Sequence, residues 1–92
     1  MRTSNLHFNP FQTIIQDGKG SRRYLVSTAF LPSGVCDWFS DDLVHWETMV
    51  FPYDPESGSP SYSEECDCIR CDSYGEALLH HMQLIADYSA DL

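Results

Sequence analysis

Residues 22–31 read RRYLVSTAFL, and this stretch decides the fold. Successive side chains of a β-strand point to opposite faces of the sheet. One face therefore receives Tyr24, Val26, Thr28 and Phe30, and the other receives Leu25, Ser27, Ala29 and Leu31. Both sets are largely apolar, which predicts a strand in the middle of a sheet. Pro32, Ser33 and Gly34 follow and predict that the strand ends at Leu31.

The segments on either side predict two further strands and one helix. Asp17-Gly18-Lys19-Gly20 has the composition of a hairpin turn, so residues 11–16 predict the preceding strand. Residues 44–53 predict a third strand, closed by Pro52 and Pro55. Ser73 and Glu76 match a capping box, and the helix is expected to run to about Ser89. Residues at helical spacing are expected to face the sheet: Tyr74, Leu78, His81, Ile85 and Tyr88.

This order predicts an α+β protein, an antiparallel three-stranded meander sheet with one C-terminal helix packed on a face. The length of 92 residues fits a single domain spanning 1–92. Residues 54–71 are rich in Pro, Ser, Glu and Asp, and we expect them to form a mobile acidic loop.

The charge of the chain is strongly negative and unevenly placed. The formal net charge is −9, with four bases against one acid in residues 1–35 and thirteen acids against one base in residues 36–92. Such a charge disfavours free nucleic acid and anionic membranes as partners and favours basic surfaces. The first residues contain no apolar signal segment, and no run is long enough for a membrane span, so we expect a cytoplasmic protein.

Acidic residues beside an aromatic residue are candidates for contact with a basic partner. Carboxylates can occupy a groove that Lys and Arg form for phosphates, and an aromatic residue with a charged rim is typical of interface hot spots. The alternative interpretation is a solvated surface that only keeps the protein soluble. The candidate partner-binding residues are Asp37, Trp38, Asp41, Asp42, Glu47, Glu64, Glu65 and Asp67.

A second candidate is the cluster of cations at the predicted hairpin. Lys19, Arg22 and Arg23 lie close together in the sequence, and three cations can contact phosphates of a guide RNA within a larger complex. The alternative is a basic strand edge that prevents pairing with other chains.

The cysteines permit a third hypothesis. Cys66, Cys68 and Cys71 follow one another closely, and they could hold a structural zinc ion with one further ligand. The candidates for that ligand are Cys36, His45, His80 and His81. The alternative is a set of loose thiols in a surface loop, which needs no cofactor. Catalysis by a cysteine and a histidine is not expected, because an acidic loop is a poor environment for a thiolate. We therefore expect no enzyme.

Three motifs carry a resemblance to a known group of proteins. They are VSTAFL at 26–31, ETMVF at 47–51, and Tyr74-Gly75-Glu76-Ala77 followed by His80-His81-Met82. Together they resemble small phage and prophage proteins, over roughly residues 24–88. The resemblance implies an origin in a mobile element, and by analogy an inhibitor of host defence such as an anti-CRISPR protein.

The negative charge, the candidate contact residues and the resemblance to phage proteins together predict a function. The chain is expected to be an acidic, phage-derived inhibitor that binds a host protein–RNA complex, such as a CRISPR effector, and blocks its nucleic-acid groove. The alternative is a zinc-binding regulatory module of a mobile element. The expected location of either is the host cell cytoplasm.

Overall fold

The computed structural model describes residues 11–20, 22–37 and 42–90. They form five strands and one helix: β1 (Phe11–Gln16), β2 (Arg23–Cys36), β3 (Leu43–Asp54), β4 (Ser59–Pro60), β5 (Asp67–Cys71) and α1 (Tyr74–Ser89). All strand pairs are antiparallel. The predicted α+β class, with one C-terminal helix on an antiparallel sheet, is confirmed. None of the helical residues described belongs to a helix long and apolar enough to cross a membrane.

The sheet is larger than the predicted meander. It has the order β1-β2-β3-β4, and β5 also pairs with β3. The prediction that residues 54–71 form one loop was therefore wrong for Asp67–Cys71. This segment pairs with Trp46–Val50, and Arg70 lies opposite Glu47. The charges of the two residues compensate each other across the strands, which allows a polar sequence to form an edge strand.

Strand β2 extends beyond its predicted end at Leu31. The pairing with β3 shifts register between Phe30 and Val35 and then continues to Cys36. Gly34 adopts a φ of 77°, and a Cβ there would lie 2.7 Å from Cγ of Leu43. Glycine is the residue that accepts such a backbone without strain. The Pro32-Ser33-Gly34 stretch thus forms an irregularity within the strand and does not end it.

Helix α1 begins at the predicted capping box. Ser73 has an extended backbone, and its Oγ accepts a hydrogen bond of 3.1 Å from the Glu76 amide while donating to the Glu76 carboxylate. The helix ends at Ser89, as expected. Its buried residues are Ala77, His81 and Leu84. Of the residues predicted to face the sheet, His81 is buried and Ile85 and Tyr88 pack against the core, whereas Leu78 is exposed.

The core lies between the helix and one face of the sheet. Val26, Val50 and Leu84 form its centre, and Ile15, Tyr24, Ile69, Ile85 and Tyr88 pack around them. This helix-covered face is the predicted Tyr24, Val26, Thr28, Phe30 face of β2.

A polar ladder crosses this core beside the apolar cluster. His81 is 5% exposed, and its two ring nitrogens bond Thr13 Oγ1 at 2.9 Å and Thr28 Oγ1 at 2.7 Å. Thr28 Oγ1 also bonds Thr48 Oγ1 at 2.8 Å. A neutral imidazole has one donor and one acceptor nitrogen, and hydroxyls can serve as either, so both ring nitrogens are satisfied. Burial lowers the pKa of His81 and favours this neutral form.

Candidate functional site

The β1–β2 hairpin turn places the predicted cations at one end of the sheet. Its backbone is closed by bonds from the Asp17 amide to the Arg22 carbonyl and from the Gly20 amide to the Asp17 carbonyl. Gly20 has a φ of 74°, a conformation that favours glycine. Lys19, Arg22 and Arg23 are all exposed. The turn therefore displays its cations to solvent.

Two of these cations lie at a cavity of about 530 Å³, which we call the tyrosine cavity. The pairing of Arg23 with Tyr53 and of Tyr24 with Pro52 brings the start of β2 to the end of β3. Helix α1 adds a wall through Tyr88, and the segment before β5 adds Cys66. The lining residues are Gly20, Arg22, Arg23, Tyr24, Pro52, Tyr53, Asp54, Pro55, Cys66 and Tyr88.

Tyr88 is fixed in the cavity wall. Its hydroxyl donates to Asp67 Oδ2 at 3.1 Å, and its ring meets the Tyr24 ring edge to face at 4.9 Å between centroids. Burial raises the pKa of Tyr88 to about 12, and the neighbouring Asp67 charge adds to the effect. The phenol therefore stays protonated and remains a hydrogen-bond donor at neutral pH.

Cys66 is a protonated thiol at the cavity. Burial raises its pKa, as do the charges of Asp67 and Glu64, while Arg22 acts in the opposite direction. Its Sγ donates to the Glu64 carbonyl at 3.8 Å. A thiol with a raised pKa is a weak nucleophile. The electrostatic environment thus suits recognition better than covalent chemistry.

Acidic residues adjoin the cavity on its other side. A second cavity of about 400 Å³ shares Pro52, Tyr53 and Asp54 with the first and is also lined by Glu64. The exposed acids between β3 and β5 form what we call the acidic connection: Asp54, Glu56, Glu64 and Glu65. The structure thus places two predicted cations, Arg22 and Arg23, and one predicted acid, Glu64, at adjoining cavities at one end of the sheet.

The other predicted partner-binding residues have different positions. Trp38 and Asp41 lie outside the described residues. Asp37 and Asp42 flank that segment, and the Asp37 amide donates to the Asp42 carbonyl at 2.8 Å. Asp67 is half-buried and accepts the Tyr88 hydroxyl. Asp67 and Glu64 both lie close enough to Cys66 to raise the pKa of its thiol.

Glu47 forms an ion pair with Arg70 of the neighbouring strand. Its Oε2 accepts from Arg70 Nε at 2.9 Å, and both side chains are 17% exposed. Arg70 Nη1 also donates to the Cys36 carbonyl at 3.1 Å. The carboxylate accepts in addition from Cys68 Sγ at 3.6 Å. Glu47 therefore already bonds Arg70 and Cys68 within the chain, and its role as a partner contact stays a prediction.

The structure does not bring the four cysteines together. Cys68 and Cys71 are three residues apart in β5, so their side chains point to opposite faces of the sheet. Cys68 contacts Glu47, Cys71 donates to the Ser73 carbonyl, and Cys66 lies at the tyrosine cavity. Among the residues that the structure describes, no three His, Cys, Asp or Glu side chains form a group that could hold a metal ion. The set Cys36, Cys66, Cys68 and Cys71 was therefore wrong as a zinc site.

Two residues of the cavity, Tyr53 and Tyr88, are not among the predicted site residues. Tyr53 and Tyr88 were assigned to a strand and to a helix face, without any functional role. Their convergence depends on the β2–β3 register and on the docking angle of α1, which no local pattern contains. A signal was present in the clustering of Tyr24 with Arg22 and Arg23.

No protein-family model, no curated protein and no solved structure matches the chain.

Proposed function

We propose that the protein is a binding protein whose partner is a nucleoprotein. The observation that carries the proposal is the position of Arg22 and Arg23 next to the acidic connection, around cavities that share Pro52, Tyr53 and Asp54. A nucleoprotein presents phosphates beside the Lys and Arg residues that hold them. A surface with adjacent cations and acids is complementary to such a boundary.

The two charge groups have separate roles in this proposal. Arg22 and Arg23 contact phosphates of the bound nucleic acid, where each guanidinium can donate two parallel hydrogen bonds. Glu64 and Glu65 contact basic side chains of the protein component. The net charge of −9 disfavours binding to free nucleic acid, so the protein component selects the complex.

The environments of Cys66, Cys68 and Cys71 favour binding over catalysis by these thiols. Burial raises the pKa of Cys66 and Cys71, and raises that of Cys68 to about 12. Each of these thiols donates to an oxygen atom. Nucleophilic catalysis by cysteine requires a thiolate activated by a neighbouring base.

The finer identity that we propose is an inhibitor of host defence from a mobile element, acting on a CRISPR effector in the host cytoplasm. It depends on the resemblance of the VSTAFL and ETMVF motifs to those of phage proteins. Binding at the boundary between guide RNA and protein would block access of the target strand. Phage plating on cells with active CRISPR interference tests this identity, since expression of the chain should raise the plating efficiency of a targeted phage.

The general proposal is tested by capture of the partner. The tagged chain is incubated with host lysate, with and without nuclease, and captured proteins and nucleic acid are quantified. We expect one protein to be captured together with nucleic acid. The variants R22E/R23E and E64K/E65K should each reduce its recovery at least tenfold.

Two control variants, each with one charge reversed outside the cavity, test whether charge reversal elsewhere on the chain has the same effect. Lys19→Glu reverses a cation in the same turn that does not line the cavity, and Asp72→Lys reverses an acid at the other end of β5. Both should retain capture close to that of the original chain. Capture of a protein free of nucleic acid, or equal losses in the control variants, would contradict the proposal.

A further inference from the structure

The tyrosine cavity has the size and the lining of a site for a small ligand. Its volume of about 530 Å³ falls within the range of about 300–1,000 Å³ found for small-molecule sites. Three tyrosines and two prolines supply flat and apolar walls, and two arginines lie at its rim. The wall is held in place by the hydrogen bond from Tyr88 to Asp67 and by the contact between the Tyr24 and Tyr88 rings.

The cations at the rim are available to a ligand. Arg22 and Arg23 are exposed, and neither forms a salt bridge within the described parts of the chain. Arg70 presents the contrasting case, because Glu47 already occupies its guanidinium. Two unpaired guanidinium groups next to aromatic walls favour a ligand with a phosphate joined to a flat ring.

Asp54 in the cavity wall limits the chemical classes of ligand that the cavity can bind. Asp54 lines the same cavity and Glu64 lies close to Cys66, so an acidic peptide or a second carboxylate would be repelled. A nucleobase fits this position, since its amino and imino groups donate hydrogen bonds that a carboxylate accepts. The phosphate would then lie at the arginines and the base between tyrosines.

We propose that the tyrosine cavity binds a single unstacked nucleotide, with its phosphate at Arg22 and Arg23 and its base against the tyrosine walls. The biological role of this site rests on the proposed function. In a nucleoprotein, the nucleotide that the cavity binds would be a terminal or looped-out nucleotide of the bound strand. Single-stranded nucleic acid is commonly recognised by such stacking on aromatic side chains.

Cys66 allows a direct test on the isolated chain. Cys66 and Cys36 are both exposed, but only Cys66 lines the cavity, so Cys36 serves as an internal control in the same molecule. N-ethylmaleimide alkylation of each cysteine is followed by mass spectrometry at pH 8.5, with and without added AMP, GMP, CMP or UMP. We expect at least one nucleotide at millimolar concentration to slow Cys66 alkylation at least fivefold and to leave Cys36 unaffected.

Comparison ligands and variants define the outcome. Adenosine without phosphate, ribose 5-phosphate without a base, and a Glu-rich peptide should each protect Cys66 less than twofold. Protection should be lost in R22E/R23E and in Tyr53→Ala, and retained in Lys19→Glu, each compared with the same variant without ligand. Equal protection by ribose 5-phosphate or by the peptide, parallel protection of Cys36, or no protection by any nucleotide would overturn the inference.

The result is distinguishable from the test of the proposed function. Failure of nucleotide protection with intact capture of a nucleoprotein overturns only the cavity assignment. Protection of Cys66 by a nucleotide, without capture of a nucleoprotein, overturns only the proposed function.

Discussion

Replacement of Thr28 by Val tests the polar ladder that fixes helix α1 on the sheet. Valine has nearly the same shape, so the packing is retained while the hydroxyl is lost. Thr28 is fully buried, and its Oγ1 bonds both His81 Nδ1 at 2.7 Å and Thr48 Oγ1 at 2.8 Å. The substitution therefore removes two hydrogen bonds and takes this partner from two buried polar atoms, His81 Nδ1 and Thr48 Oγ1.

The expected cost follows from these bonds. Each contributes about 0.5–1.5 kcal/mol net, and a buried polar atom left without a partner costs about 1–3 kcal/mol. Part of this cost is offset by the added apolar burial of the valine methyl, about 0.8 kcal/mol. We expect Thr28→Val to lower the free energy of unfolding by about 2–4 kcal/mol. This is a large fraction of the roughly 5–15 kcal/mol typical of a domain.

Urea denaturation followed by circular dichroism measures the effect, with an unchanged denaturant slope confirming two-state behaviour. Thr13→Val, which removes one bond at a half-buried position, should cost only about 1 kcal/mol. The double variant T28V/H81L should cost less than the sum of its single variants, because no nitrogen is then left unsatisfied. A loss below about 0.5 kcal/mol for Thr28→Val would refute the assigned role of the ladder.

Three further predictions concern stability. Because burial lowers the pKa of His81, the unfolded chain binds a proton that the folded chain excludes. The contribution of His81 to the free energy of unfolding should therefore be complete above a pH of about 6.5. At lower pH the free energy of unfolding should fall, by at most about 1.4 kcal/mol per pH unit. Urea midpoints between pH 7 and 5.5 should show this slope, and His81→Gln should flatten it. Ser73→Ala removes the cap bond to Glu76 and should cost about 1 kcal/mol, read from the thermal midpoint; an unchanged midpoint would argue against the cap. Glu47→Gln removes the carboxylate charge that pairs with the half-buried Arg70 and should lower the free energy of unfolding by about 1–3 kcal/mol in urea, and no loss would show that the pair is unimportant.

The elements with a clear period or a clear boundary signal could be predicted from sequence. The apolar alternation of 24–31, the Asp17–Gly20 turn and the Ser73–Glu76 cap are local features, and the structure has a strand, a hairpin and a helix start at these places. The predicted helix face is confirmed for His81, Ile85 and Tyr88 and wrong for Leu78, which is exposed while Ala77 and Leu84 are buried. The sequence spacing permits both stripes, and only packing against the sheet selects between them.

Strand β5 could not be predicted because its stability is not local. The segment DCIRC at 67–71 has Ile69 as its only strongly apolar residue with a preference for strands. Its pairing depends on Arg70 meeting Glu47 in β3, more than twenty residues earlier, and on Tyr88 bonding Asp67. The zinc hypothesis requires a loop that brings the cysteines together, whereas strand β5 directs Cys68 and Cys71 to opposite faces of the sheet.

The candidate site was predicted in part. The cations of the hairpin and the acids Glu64 and Glu65 are exposed in the structure, but their closeness to each other depends on the β2–β3 register. The predicted roles of these residues in contacting RNA and a basic partner stay predictions. The resemblance to phage proteins likewise stays a prediction.

The central claim is that the arginine and tyrosine end of the sheet meets nucleic acid within a protein partner. Ultraviolet crosslinking of the captured complex, followed by mass spectrometry of nucleotide adducts on the chain, tests this claim most directly. The account predicts adducts on the peptides that contain Tyr24, Tyr53 or Tyr88, and their loss in R22E/R23E. Adducts confined to peptides distant from the cavity, such as the helix start near Tyr74, would contradict it.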